Sequence, residues 1–223
     1  MLTGKILTCV ELAAYVDEVG FLPLLPFAGM PGWSAEEAVA PECRYRWLPD
    51  GGWEWKLWDW KGSILRETGC GYGKFLRGQA LFVSRAWWPH FYNYRRWLYP
   101  YPEEGSIEEA ILLTLREKGS MTSRELRRAC GLMQPGMRGK FNTCLQHLQR
   151  GGYVVIEDFV FPRDKKGQEY GWGWSKLTTP EERFGRECCK VDCSPQDSRS
   201  LIFNQLKSLM PGEDEARIGR VLK

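Results

Sequence analysis

SIEEAILLTLREKGSMTSRELRRACGLMQPGMRGKFNTCLQHLQRGGYVVIEDFVFPRDKKGQEYGWGWSKLTT, residues 106–179, is the stretch that decides the fold. Ser106 stands three residues before Glu109, the spacing of a capping box, and Ile107, Ala110, Ile111, Thr114 and Leu115 then recur at helical period. Gly119 stops that helix. Thr122 and Glu125 repeat the box and open a short helix that runs through Leu126 and Ala129 to Gly131. A third helix is predicted in QPGMRGKFNTCLQHLQRGG, with Phe141, Cys144, Leu145 and Leu148 as its buried stripe and Gly151–Gly152 as its end. YVVIEDFVF and EYGWGWSKL then read as two strands joined by PRDKKGQ, whose Pro, Asp and Gly supply turn chemistry. Three helices followed by a hairpin with a basic tip predict a winged helix-turn-helix.

Charge placement points to a partner for this unit. On a wheel anchored at Phe141, the residues facing away from the core are Gly139, Asn142, Thr143, Gln146 and Arg150, with His147 on the flank. Asn and Gln suit an adenine edge, Thr either base, and Arg a guanine or a phosphate. Between Thr122 and Arg150 there are six cations (Arg124, Arg127, Arg128, Arg138, Lys140, Arg150) against Glu125 alone. Arg163, Lys165 and Lys166 sit at the hairpin tip, where phosphate or minor-groove contact is expected. Duplex DNA is the expected partner, with Arg138 and Lys140 on phosphates and Asn142, Thr143, Gln146 and Arg150 in or near the major groove. Double-stranded RNA and a protein partner are the alternatives, since winged helices also serve as protein-binding modules.

Composition sets the outer bounds. The chain has 223 residues, 43% of them hydrophobic, enough for a sizeable core and two domains. Its net charge of +3 does not describe a polycation that coats nucleic acid; residues 1–105 carry a net −1, 106–179 a net +4 and 180–223 zero. The N-terminal apolar run from Ile6 to Val16 contains Glu11 and lacks a cleavage site, and nothing approaches the ~20 apolar residues of a membrane span. No membrane association is expected. Eight cysteines in a chain this long are expected as reduced thiols, which fits a cytoplasmic location.

Outside the predicted winged helix, residues 3–19 have the pattern of an amphipathic helix ended by Gly20, and Ser34 with Glu37 signals another N-cap. Nine of the eleven tryptophans lie before residue 106, so residues 1–105 are expected as an aromatic-rich, mostly helical domain. Ala80–Ser84 is its candidate strand and Trp87–Trp97 a helix. YPYPEEG is a stiff linker into 106–179. Residues 180–223 read as a C-terminal extension of two helices hinged at Pro211–Gly212 that docks on the core. The expected fold class is mainly α with small β-hairpins (α+β).

If there is an active site, the candidate catalytic residues are carboxylates among aromatics: Glu54 between Trp53 and Trp55, and Asp59 between Trp58 and Trp60. An apolar wall raises a carboxyl pKa, and such a group beside a flipped base can activate water or stabilise an oxocarbenium ion. In a strand, however, the same alternation puts the rings inside and the carboxylates in water. GCGYGKF (Gly69–Phe75) lacks Gly-Lys-Ser/Thr, so it predicts a glycine-rich turn with Lys74 near a DNA phosphate, not a nucleotide site. Arg95 and Arg96 either extend the footprint or snorkel from the core. Cys188, Cys189 and Cys193 with His90 or His147 form the one conceivable zinc set, but adjacent cysteines do not readily share a tetrahedral ion, so no metal and no cofactor are expected. The two histidines, distant in sequence, offer no convincing nucleophilic triad.

The segments DEVGFLPLLPF, GWSAEE, WEWK, YGKFLRGQALFVSRAWWPHFYNYRR and GQEYGWGWSKLTTPEE, in this order, resemble a small bacterial family of AlkZ-related proteins. The resemblance covers most of residues 15–185. It implies similarity to the AlkZ/YcaQ DNA glycosylases, which are built from winged-helix repeats and release alkylated or crosslinked purines without a metal or organic cofactor. The larger enzymes use an N-terminal Gln-x-Gln motif to position the attacking water; here Gln79 is the only glutamine before residue 106 and no Gln-x-Gln occurs. Three functional classes follow: a non-enzymatic DNA binder, a divergent DNA glycosylase and a protein-interaction module.

Overall fold

In α1 (Cys9–Val19), Thr8 and Glu11 close a full capping box, and Leu12, Ala13, Tyr15, Val16 and Val19 are buried. The computed structural model to which this helix belongs describes residues 3–27, 29–168 and 171–223. Met1, Leu2, Ala28, Glu169 and Tyr170 lie outside it, including the expected start of the second hairpin strand. The chain continues through β1 (Phe21–Pro23), α2 (Ala35–Ala38, capped by Ser34), a 3-10 turn at Pro41–Cys43, and the short hairpin of β2 (Arg46–Trp47) and β3 (Trp53–Glu54). Then come α3 (Lys56–Thr68), β4 (Gly71–Leu76), β5 (Gln79–Val83) and α4 (Trp88–Leu98).

Two expectations for this half are corrected. Trp-Glu-Trp-Lys-Leu-Trp-Asp-Trp is not an extended run: β3 ends at Glu54, and Asp59 lies in the first turn of α3. The Gly69–Phe75 stretch is not a turn. Most of it is β4, which pairs antiparallel with β5, and β5 pairs with β1 on its other side, giving a three-stranded sheet. Its glycines mark close approach: a Cβ on Gly71 would run into the Trp88 ring, and one on Gly73 into the Phe75 ring.

Residues 106–179 form α5 (Ile107–Lys118), β6 (Met121–Thr122), α6 (Ser123–Ala129), α7 (Met137–Arg150), β7 (Val155–Val160) and β8 (Trp174–Thr178). The three strands are antiparallel in the order β6-β8-β7. Thr122 and Glu125 close their capping box. Ser106 caps α5, but Glu109 takes its return bond from the Gly105 N–H (2.7 Å) and not from Ser106. Phe141, Leu145 and Leu148 of α7 are buried as the spacing predicts, whereas Cys144, expected with them, is only half-buried.

The C-terminal segment adds α8 (Pro180–Phe184), a 3-10 turn at Glu187–Cys189, α9 (Pro195–Leu209) and α10 (Glu215–Val221). α9 packs on α4, and Tyr94 Oη donates to the Leu222 carbonyl (2.9 Å), so the segment docks on the core. The class is α+β with small antiparallel sheets.

One buried cluster runs from Leu12 and Leu65 through Ile111 to Phe141 and Leu177, crossing the boundary near residue 105. Strand β4 lies against both α7 and β7, and α3 also packs on β7. Trp33 and Trp88 are fully buried, and each such ring, at ~25 cal/mol per Å² over roughly 150–250 Å², contributes about 4–6 kcal/mol to packing.

Candidate nucleic-acid interface

Helix α7 carries most of the expected contacts, and its two halves have different surroundings. In the N-terminal half Arg138, Lys140, Asn142 and Thr143 are exposed, with Thr143 Oγ1 turned back onto the Gly139 carbonyl (3.1 Å). The C-terminal half is flanked by the β4–β5 hairpin. Gln149 is buried there and accepts the Lys74 N–H through Oε1 (2.6 Å). Gln146, three residues earlier, lies half-buried against Gly78 at the hairpin turn. Arg150 is half-buried as well, and its Nε is buried with no hydrogen-bond partner. The helical wheel of an isolated α7 sees none of this, because the occluding hairpin lies some seventy residues upstream.

Around the exposed half, the structure assembles a cleft of about 270 Å³ between α6, α7 and β8, lined by Arg124, Arg127, Arg138, Asn142 and Trp174 among others. Arg124 lies over the Trp174 ring, 5.8 Å from its centroid, and the Arg127 Nε is buried without a partner. Arg124, Arg127 and Trp174 were not among the expected contacts. The i, i+3 spacing of the two arginines, flanking buried Leu126, was the available signal. Three guanidinium groups converging on one concave surface suit a phosphate, which Arg binds through a planar fork.

At the hairpin tip Arg163, Lys165 and Lys166 are all exposed. Asp164 organises the turn, since its Oδ1 accepts the N–H groups of Lys166 (2.8 Å) and Gln168 (2.9 Å). Behind the tip, Trp172 stacks on Trp53 of the β2–β3 hairpin, with ring centroids 4.8 Å apart at 13°, and meets Trp58 edge-on at 5.3 Å. The N-terminal tryptophans therefore form a wall against the β7–β8 hairpin, and Trp47, Trp53, Trp172 and Trp174 remain exposed along it.

Several other sequence candidates stand elsewhere. Arg95 is only 1% exposed and donates to the carbonyls of Arg150 (2.6 Å), Phe75 (3.0 Å) and Leu222 (3.0 Å), tying α4 to three segments. Of its two alternatives, the core wins, because three carbonyls solvate the cation better than a solvent-facing rotamer could reach. Arg96 pairs with Glu181 (2.8 Å) and covers the Tyr153 ring at 3.5 Å. Lys74 is exposed on β4.

Glu54 faces no apolar wall. Arg46 holds it through Nη2 at 2.5 Å and Nε at 3.0 Å, and these bonds keep its carboxyl below the usual range. Asp59 is raised by partial desolvation, opposed by Lys61, and sits beside a cavity of about 40 Å³. The two carboxyls are thus shifted in opposite directions, and of the two only Asp59 lines that cavity.

His90 does find partners, contrary to the sequence expectation: its Nδ1 lies 3.3 Å from Ser198 Oγ and 3.7 Å from Cys193 Sγ. Asn93 Nδ2 donates to Ser198 Oγ and to the Cys193 carbonyl, both at 3.0 Å, so the group fastens α4 to the start of α9. Among the described residues no group of three or more His, Cys, Asp or Glu could hold a metal ion, and no helix is long and apolar enough to cross a membrane.

A second concavity, of about 450 Å³, lies at the other flank of α7, between the 99–103 linker, the start of α5 and the last turn of α7. Its walls include Tyr99, Tyr101 and Tyr153, and its polar groups include Glu108, His147 and Arg150. Comparison with curated proteins and with solved structures returned no significant match. The family model for AlkZ-related proteins, in contrast, matches residues 6–223, essentially the whole chain, and the chain belongs to that family.

Proposed function

We propose that residues 106–179 are a winged helix-turn-helix that binds duplex DNA, in a protein whose family ties it to DNA repair. The observation that carries this is the run of cations from the cleft, where Arg124 and Arg138 are exposed and Arg127 is half-buried, through exposed Lys140 to the exposed Arg163, Lys165 and Lys166 at the tip, with Asn142 and Thr143 exposed between them. Asn142 and Thr143 are the base-reading candidates, since Gln146 lies half-buried against the β4–β5 hairpin and Arg150 is half-buried at the flank of α7 that faces the 99–103 linker. Arg124, Arg127, Arg138, Lys140 and the tip hold phosphates; Lys74 is at the margin, and Arg95 and Arg96 are structural.

A salt titration of duplex binding tests this. Changing Arg163, Lys165 and Lys166 together to Ala should weaken binding evenly across sequences and flatten the slope of log K against log salt by about 2–3, at roughly 0.9 per lost phosphate contact. An unchanged slope removes the tip from the footprint, and no wild-type binding at low salt removes DNA. Base excision is the second reading, favoured by the aromatic cavity beside α7; it is tested by incubating a duplex with one alkylated purine and heating in mild base, where cleavage of that strand alone reports excision.

A further inference from the structure

The 450 Å³ cavity beside α7 has a chemistry unlike that of the cationic cleft. Its aromatic walls are held in place before any ligand arrives. Tyr153 Oη donates to the Tyr99 carbonyl (2.9 Å) while Arg96 covers the ring. Tyr101 meets Tyr153 edge-on at 5.9 Å, and its Oη accepts a bond from Arg116 (3.1 Å). Tyr153 is buried and fixes the wall, while the Tyr101 ring stays exposed; a fixed exposed ring suits a flat partner, and stacking on it does not depend on which base is presented.

Its polar groups narrow the partner further. Glu108, at the start of α5, lies 3.6 Å from His147 Nδ1, and the neighbouring Glu103 adds a second carboxylate. Two carboxylates repel a phosphate but accept from amino or ring N–H groups. Arg150, which also lines the cavity, is the complementary cationic donor. A ring with donors on one edge and an acceptor on another satisfies all three side chains, and a nucleobase has that form.

Position links the cavity to DNA. His147 at its rim follows Lys140 and Thr143 at helical spacings of seven and four, so one exposed face of α7 runs from the phosphate and base contacts to the cavity mouth. A volume of about 450 Å³ admits a purine with its sugar. We infer that this cavity receives an extrahelical nucleobase, stacked against the exposed Tyr101 ring that Tyr153 backs, with Glu108, His147 and Arg150 on its edges; this rests on duplex DNA being the partner. A base already unpaired costs less to extrude, so selectivity is expected for duplexes with a weakened pair.

The test compares two short duplexes that differ only in one purine, either paired or left unpaired as a bulge. The wild-type protein should bind the bulged duplex about tenfold more tightly, the scale of one base–aromatic stack. Tyr101→Leu and Glu108→Gln, on partly exposed side chains that the fold does not bury, should each reduce that preference toward unity. Equal affinity of the wild type for both duplexes overturns the inference while leaving DNA binding intact. A tenfold preference that survives both substitutions also overturns it, because the base then rests elsewhere. Failure to bind either duplex at low salt overturns the DNA reading itself.

Discussion

Replacing Lys61 by methionine should stabilise the protein at pH 6, and the gain should shrink as the pH rises towards 10. The Lys61 side chain is buried, and its Nζ has no hydrogen-bond partner. It lies 2.9 Å from the Trp58 ring centroid and 4.2 Å from that of Phe159. The two effects oppose each other: the rings favour the ammonium ion, and burial favours the neutral amine. Burial dominates, taking the pKa from 10.5 down to about 7 against the weaker pull of Asp59. Between those values the unfolded chain holds one proton more than the folded one, so stability rises with pH; below about 7 both states are protonated and the folded state carries the whole penalty.

A drop of about 3.5 pKa units at 1.36 kcal/mol each sets a ceiling of roughly 5 kcal/mol. Residual water near the amine and the loss of two cation–π contacts, about 0.5–2 kcal/mol each, reduce the expected gain to about 2 kcal/mol. Methionine retains the flexible stem that fills the space between the rings. Urea unfolding of both proteins at pH 6, 8 and 10 measures it. A difference that stays constant across that range, or a methionine variant less stable at pH 6, refutes the reasoning and means that the rings hold Lys61 fully charged.

Three further outcomes follow from packing. Arg95→Leu strands the carbonyls of Arg150, Phe75 and Leu222 in the core and should cost about 3–5 kcal/mol in urea unfolding, with no change in the salt slope of DNA binding. Gly71→Ala drives a methyl into the Trp88 ring and should cost about 1–3 kcal/mol, read as a lowered Tm. Trp53→Leu and Trp172→Leu should couple in a double-mutant cycle by about 0.5–1.5 kcal/mol; additivity there would mean that the stack contributes nothing.

What could be read directly from the chain is what depends on near neighbours. Thr122 and Glu125 are one helical turn apart, so their capping box needs no tertiary contact, and the same holds for Ser34 as an N-cap and for the Phe141, Leu145 and Leu148 stripe of α7. The helix order of residues 106–179 and the basic hairpin tip were legible for that reason. The Trp-Glu-Trp run was not, because two strand residues followed at once by a helix leave no clear period.

The site was legible only in part. Sequence alone determined that cations collect between residues 122 and 166, and Arg138, Lys140, Asn142 and Thr143 do lie exposed on α7. Only the tertiary structure decided that Gln146 and Gln149 turn towards the β4–β5 hairpin, that Arg95 serves the core, and that Arg150 and Glu108 line a cavity walled by Tyr101 and Tyr153. A side chain's own backbone sets the direction it leaves, whereas burial and hydrogen bonding depend on what the rest of the chain places there. For Arg95 those partners come from 20 to 127 residues away, a distance over which no local pattern carries information.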